Sequence, residues 1–446
     1  MFKTIRNAWA IPDLRKKILF TLLIVLVFRI GSVIPVPFLD MGALNTLMKG
    51  VDDSGSMLSY LNTLSGGAFS NATLFAMGVT PYINSSIILQ LLCVAIPPLE
   101  RMAKDGEVGR KKIGKITRYV TVILGLIQGA AYFWYLYRSN VTVYKSGFDL
   151  VYSAIIIILV FTAGTALMMG MGEQINNYGI GNGISFIILI GIIARFPDAL
   201  IQEVVSRVAN KSGGLIMFII EVVFLLLVIG AAILLVQGVR KIPVQYAKRI
   251  VGNKQYGGAR QYIPLKVNAA GVMPIIFAQA IMFIPITFIG FSNNVNNAGG
   301  FLHAFTDHTS FWYNFVFAVM IILFTYFYTA ITINPTQMAE DMKRNNGFIP
   351  GIKPGKKTAE YIDDIMSRIT LPGSFFLALV AIMPAFAGIF GVQAGFAQFF
   401  GGTSLLILVG VVLDTLQQVE SHLLMRHYDG LLKSGRIKGR AGVAAY

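Results

Sequence analysis

His303, Asp307 and His308 stand close enough together to ligate a metal ion, because imidazole nitrogen and carboxylate oxygen are common metal donors. No further strong ligand surrounds them and the chain has only 4 histidines, so they read as a solvated outer loop and no metal is assigned. Glu221 and Asp414 lie inside long apolar runs, with Arg29 and Glu420 near the ends of others. Ionisable residues in such runs mark proton or ion pathways by default, which would suit a secondary transporter of a small solute. A membrane enzyme would need His, Asp, Glu or Cys gathered at one membrane face. The sequence offers no such constellation, so no catalytic residue and no cofactor is assigned. Cys93 is single, forms no internal disulfide, and sits in an apolar run as a small hydrophobe.

The most polar of these runs, PYINSSIILQLL (residues 81–92), carries Asn84, Ser85, Ser86 and Gln90 and follows a stretch, 41–80, rich in Gly, Ser, Thr and Asn. The elements that must position these side chains are membrane helices. The 446 residues are 55% hydrophobic and 13% charged, where soluble domains are about 25% charged, and the mean hydropathy is +0.67. Ten runs are long enough to span: roughly 18–38, 79–99, 118–137, 150–171, 182–201, 214–237, 268–291, 311–333, 372–390 and 403–425. Backbone groups in lipid must bond internally, so these runs are expected to be helices, and continuous runs exclude a barrel of alternating strands. The basic N-terminus followed by ILFTLLIVLVF imitates a signal peptide, yet it lacks a small-x-small cleavage site and reads as the first retained span. Phe2, Ile5 and Trp9 before it suit a short helix on the membrane surface.

Basic residues set the orientation. Of the 37 Lys and Arg, 30 fall in alternate connections taken as cytoplasmic, 5 in the outer ones and 2, Arg29 and Arg195, within spans, which puts both termini in the cytoplasm. Two inner connections are long. Residues 238–267 hold seven basic and no acidic residues and two stretches of strand character, IPVQYA and RQYIPLKV, separated by Gly257 and Gly258; they predict a basic hairpin. Residues 334–371 contain a Pro/Gly turn series, GFIPGIKPGKK, then a short helix, TAEYIDDIMSRI.

An internal repeat relates the two sets of five spans. GISFIILIG (183–191) matches GTSLLILVG (402–410) at Gly183/Gly402, Ser185/Ser404, Ile188/Ile407, Leu189/Leu408 and Gly191/Gly410, and Pro81 with Ile83 parallels Pro274 with Ile276. Each pair crosses in opposite directions, as in inverted repeats that place a path at their interface. The repeat selects Ile83, Ile87, Ile184, Ile188, Ile276 and Ile407 as candidates for an apolar collar, the kind of constriction that gates a pore by excluding water.

RIGSVIPVP, PYINSSIILQLL, GIGNGIS, PLKVNAAGVMPIIFA, GFIPGIKPG and FGGTSLLI, in this order across essentially the whole chain, resemble the SecY family of bacterial protein-conducting channels. The resemblance implies an all-α polytopic fold of ten spans in two inverted five-helix halves, 1–205 and 206–446, around a central pore. It implies that unfolded secretory polypeptides pass through the bacterial plasma membrane and that membrane segments leave sideways into lipid. The six isoleucines match the family's pore ring. Residues 57–72 match its re-entrant plug helix, with Leu61, Ser65, Gly66, Gly67 and Phe69 as plug residues. Asn84, Gln128 and Gln279 match its lateral gate. The implied partners are SecE-like and SecG-like small subunits, a SecA-like motor ATPase, the ribosome and preprotein substrates. Arg240, Lys241, Lys248, Arg249, Lys254, Arg260, Lys353, Lys356 and Lys357 are the implied docking residues. Lys353 departs from the family's usual arginine in the GIRPG turn, keeping the charge but losing the bidentate fork.

Overall fold

The computed structural model describes residues 9, 11–53, 62, 65–209, 214–246, 249–251, 254–256, 260–279, 281–282 and 310–433. Its first elements are α1 (Pro12–Gly31), α2 (Met41–Asp53), α3 (Thr80–Ala95), α4 (Pro97–Lys104), α5 (Gly106–Arg138), α6 (Phe148–Tyr178), α7 (Gly183–Ala209) and α8 (Gly214–Gln237). Four strands follow: β1 (Val239–Tyr246), β2 (Arg249–Val251), β3 (Lys254–Tyr256) and β4 (Arg260–Lys266). The rest are α9 (Phe311–Thr332), α10 (Pro335–Arg344), β5 (Gly347–Phe348), α11 (Lys356–Ile389), α12 (Ala394–Ala397) and α13 (Gly402–Lys433). The chain divides into one compact unit of residues 1–50, 61–195 and 411–446 and another of 51–60 and 196–410.

Among the described residues, 7 helical stretches are long and apolar enough to cross a bilayer, and the pair α3–α4, bent by 107° at its break, makes an eighth. The bend follows from Pro97 and Pro98, since the residue before a proline is driven out of helical geometry; Ile96 is extended. Of the ten expected spans, the seventh is described only as a helical run at 273–279 and at 281–282, and the rest of 268–291 lies outside the described residues. The first, α1, is a helix that carries Arg15, Lys16 and Lys17 in its first turns and Arg29 in its last. Only about 17 Å of it is uncharged at 1.5 Å per residue, and long basic side chains reach the interface from such positions. It also ends earlier than the expected 38. Ser32 Oγ bonds the Arg29 carbonyl and closes the helix. Pro35 and Pro37 have no N–H with which to continue it, and Pro35 instead bridges Thr73 while Leu39 bridges Thr142.

In the first unit, α5 packs on α3 and α6, and α1 packs on α6. Lipid tails supply no hydrophobic drive between helices, so close approach through small residues is what holds such a bundle. A side chain at Gly31 would collide with the Phe75 ring, and one at Gly164 with the Leu74 carbonyl. The segment 65–79 is therefore wedged against α1 and α6, and Phe28 stacks on Phe75 at 5.8 Å. Ser85 Oγ and Thr121 Oγ1 lie 2.5 Å apart between α3 and α5. Ser85, one of the polar residues of the 81–92 run, is thus a buried hydrogen-bonding contact.

In the second unit, β4, β1 and β5 form a sheet in that order, all antiparallel, and β2 and β3 form a separate two-stranded antiparallel sheet. The basic hairpin is present, but its reversal falls between Val251 and Lys254 rather than at Gly257 and Gly258. Ile242, Val244, Leu265, Met342, Ile349, Ile362 and Met366 form the core beneath the sheet. Each such side chain contributes about 1.5–3 kcal/mol on full burial in a water-facing domain.

Two helices differ from expectation here. Within 334–371, α10 starts with Asn334 as a cap accepting from the Gln337 N–H and Pro335 in the first turn, a start signal carried by the sequence NPTQ. The short helix TAEYIDDIMSRI and the ninth span are one 34-residue helix, α11, running through Pro372 and Pro384. Prolines are tolerated in membrane helices when nearby hydroxyls satisfy the freed backbone. Hydroxyls cluster around Pro372, where Thr370 Oγ1 bonds the Met366 carbonyl at 2.7 Å, Ser374 Oγ the Leu371 carbonyl at 2.9 Å and Tyr326 OH the Ser367 carbonyl at 3.4 Å, although none of the three takes the Arg368 carbonyl that the proline frees.

Candidate functional site

Residues 65–79 are a series of tight turns among the helices of the first unit. Of the expected plug residues, Leu61 lies outside the described residues, Ser65 and Phe69 are buried, and Gly66 and Gly67 are half-buried. The turn 65–72 closes on itself: the Gly67 N–H donates to the Asn62 carbonyl at 2.9 Å and the Ser70 N–H to Asn62 Oδ1 at 3.0 Å. Gly66 and Gly67 have φ of 67° and 88°, the left-handed region that glycine enters without steric cost. A Cβ at Gly66 would lie 2.9 Å from Gly191 Cα, so α7 and the turn meet glycine to glycine.

Three side chains from three helices reach this turn. Arg29 Nη1 of α1 donates to the Gly66 carbonyl at 3.4 Å. Tyr132 OH of α5 donates to the Phe69 carbonyl at 2.7 Å, with the two rings 4.5 Å apart. Arg195 Nη2 of α7 donates to Ser70 Oγ at 3.4 Å. Arg195 lies within the expected span 182–201 and stands inside the continuous helix α7. Its signal was available, as it is the only charged residue between Gly183 and Pro197.

The repeat has structural counterparts. α7 and α13 begin at the matched glycines, Gly183 and Gly402. Pro81 is the second residue of α3, and Pro274 the second of the helical run 273–279. A side chain at Gly183 would collide with the Gly172 carbonyl of α6, and one at Gly401 with the Val380 carbonyl of α11, so both helix starts press on the span that precedes them. In the first unit Ile87, Ile184 and Ile188 are 5%, 9% and 8% exposed and Ile83 is half-buried. In the second, Ile407 is buried and Ile276 half-buried.

Asn84 and Gln128 are both half-buried, on α3 and α5. The contact of those helices is fixed at Ser85 and Thr121, and Gln128 lies about 10 Å farther along α5 by helical rise. Gln279, in the other unit, has a buried Oε1 with no hydrogen-bond partner among the described residues.

The suspect carboxylates have different surroundings. Glu221 is 5% exposed and bonds Arg207, which donates from Nε to Glu203 Oε1 at 2.8 Å and from Nη2 to the Gly391 carbonyl at 3.0 Å. Glu203 Oε2 accepts the Gln393 N–H at 2.8 Å. This cluster ties α7, α8 and the loop after α11 together, and a guanidinium already engages the carboxylate a transporter would use. Asp414 is exposed in a polar cleft of about 480 Å³ with Asn182, Ser185, Thr415, Gln417, Gln418 and Ser421. His303, Asp307 and His308 lie outside the described residues.

The docking residues divide in the same way. Arg240 and Lys241 are exposed on β1, and Lys353, Lys356 and Lys357 are exposed where the turn enters α11. Thr358 Oγ1 bonds the Lys353 carbonyl at 3.0 Å and so fixes the backbone of that turn. Arg249, Lys254 and Arg260 are placed by strand pairing alone, and Lys248 lies outside the described residues.

The SecY family model matches residues 73–416. The protein translocase subunit SecY of Halalkalibacterium halodurans is 44% identical over 446 residues, 97% of this chain and 100% of the relative. That of Bacillus subtilis is 43% identical over 442 residues, 97% of this chain and 100% of the relative. Among solved structures, a SecY whose plug domain stabilises the closed state of the translocation channel has a TM-score of 0.60 at 16% identity, covering 96% of this chain and 95% of that one. Sec61 in the canine ribosome-channel complex has a TM-score of 0.57 at 14% identity, covering 96% and 95%. At these identities the structural likeness speaks for the fold, and the sequence relatives speak for the family.

Proposed function

The chain belongs to the SecY family, and from that membership we infer that it is the channel subunit of a bacterial protein translocase, passing unfolded secretory polypeptides across the plasma membrane and releasing membrane segments sideways into lipid. The observation that carries this is identity of 44% along the whole length of a translocase subunit, with no large segment unmatched on either side. Its work is conduction and sorting rather than catalysis. A central Leu, Ile, Phe or Val favours lipid by about 0.3–0.6 kcal/mol, while a central Lys, Arg or Asp opposes it by about 2.5–3.5 kcal/mol. A path open to both water and lipid therefore sorts segments by composition.

Within this reading the six isoleucines Ile83, Ile87, Ile184, Ile188, Ile276 and Ile407 are the constriction, supported by the repeat and by the matched helix starts. The turn at 65–72 is the described part of the plug, and Asn84, Gln128 and Gln279 belong to the gate. The exposed bases of β1 and of the 353–357 turn face the cytoplasm with both termini, and halves 1–205 and 206–446 carry the repeat. Sec61 binds the ribosome in the canine complex, and the same basic surface here suits rRNA phosphates. A SecA-like motor and SecE-like and SecG-like subunits complete the assembly.

The test is reconstitution. Proteoliposomes holding this chain with its small subunits, a motor ATPase and ATP are expected to protect an unfolded preprotein from external protease. Failure with all partners present and the chain folded would overturn the assignment.

A further inference from the structure

Apart from Phe69, whose buried ring lies on Tyr132, the turn 65–72 is held through its main chain and one hydroxyl. The Arg29 and Tyr132 bonds end on the carbonyls of Gly66 and Phe69, and the Arg195 bond ends on Ser70 Oγ. The donors come from α1, α5 and α7, so three separate helices pin points within five residues of one another. The remaining contacts are the Phe69 ring on Tyr132, the Val36 N–H on the Ala72 carbonyl at 3.1 Å and the close approach of Gly66 to Gly191; the rest of the turn is Ser, Gly, Ala and Asn. Donors fixed on rigid helices and acceptors on a turn with one large side chain give a seat set mainly by hydrogen-bond geometry. Arginine within a span is costly and persists where it has polar work to do. The turn's oxygens supply that work for both Arg29 and Arg195.

We propose that Arg29, Tyr132 and Arg195 are the positioning residues that keep the 65–72 turn seated, and that loss of their three bonds is the step that frees it. The proposal rests on reading this chain as a channel and this turn as part of its plug. Seating is an equilibrium set by these bonds, so each bond removed raises the unseated population by roughly two- to tenfold.

The experiment uses the full chain with Cys93→Ala and Ala68→Cys, because Ala68 is 0% exposed when the turn is seated. A membrane-impermeant thiol reagent added from outside reports unseating as labelling. Tyr132→Phe removes only the hydroxyl and leaves the ring on Phe69 and Phe161; it is expected to speed labelling by roughly two- to tenfold. Arg29→Gln and Arg195→Gln should act in the same direction, their combination should exceed either, and the lysine variants should fall between. Ala232→Cys, equally buried in α8, serves as the control and should stay unlabelled. Unchanged labelling of Ala68→Cys in all three variants overturns the proposal, as does an equal rise at Ala232→Cys, which would mark general loosening. Preprotein import measured in parallel separates the two ideas. Normal import with unchanged labelling sinks the latch alone, whereas faster labelling without import in the parent chain sinks the channel assignment and leaves the latch standing.

Discussion

Arg207 Nε donates to Glu203 Oε1 at 2.8 Å, one helical turn away on α7, with both side chains almost fully buried. Glu221 approaches the same guanidinium from α8, so one cation serves two carboxylates. Removing that cation leaves two buried negative charges facing each other.

Arg207→Met is therefore expected to destabilise the protein by about 3–5 kcal/mol, the cost of stranding buried charge. Replacing Arg207, Glu203 and Glu221 together by apolar residues of similar volume should cost far less, because no charge is left behind. Thermal unfolding of the detergent-solubilised chain checks both. If Arg207→Met melts with the parent, the cluster is not buried as found.

Gly164 and Gly170 lie on the same helix, yet a Cβ at Gly164 would strike the Leu74 carbonyl while one at Gly170 meets nothing within 4 Å. Gly164→Ala should destabilise by about 1–3 kcal/mol through forced displacement of the 65–79 segment. Gly170→Ala should be within about 0.5 kcal/mol of the parent or slightly stabilising. The melting temperatures of the two variants, compared directly, test whether the segment is wedged against α6.

The contrast between these glycines also indicates what the sequence could carry. Span positions were legible because apolar runs of bilayer length have few alternative structures, and the hairpin strands were legible because β-branched and aromatic residues flank the turn signals. Helix ends were not. α1 ends at Gly31 where Ser32 takes up the Arg29 carbonyl, and α11 begins at Lys356 beside the Thr358 bond to the Lys353 carbonyl, side-chain caps that a hydropathy run does not register. Arg195 and Tyr132 were missed for another reason, since their partners are oxygens of a turn more than sixty residues upstream. The candidate pore residues were reached through the repeat, which relates Gly183 to Gly402 without reference to packing.

If the six isoleucines form the constriction, replacing all of them by glycine removes the apolar surface that excludes water. Ion conductance of the resting channel in planar bilayers should rise well above the parent. Ile184 also packs its Cγ1 against Gly172 of α6, within 2.7 Å of where a Cβ there would sit. Ile184→Ala alone should thus cost stability as well, about 2–5 kcal/mol for a buried isoleucine truncated in place. Unchanged conductance in the sixfold variant would remove the collar.

The basic hairpin separates charge from scaffold. Arg240 and Lys241 are exposed on β1, while Leu265, paired with Arg240 across the sheet, is 3% exposed in the core below. Phosphate contacts release counterions, so each one lost should reduce the slope of log affinity against log salt by about 0.7–0.9. Arg240→Gln with Lys241→Gln is expected to weaken ribosome binding and flatten that slope. Leu265→Ala leaves every charge in place and loosens the sheet by about 2–5 kcal/mol. It should weaken binding through a less ordered hairpin while the slope at each salt concentration stays that of the parent. Cosedimentation with ribosomes across a salt series distinguishes the two. A parental slope in the charge variant would mean that Arg240 and Lys241 do not meet phosphate, whatever the affinity.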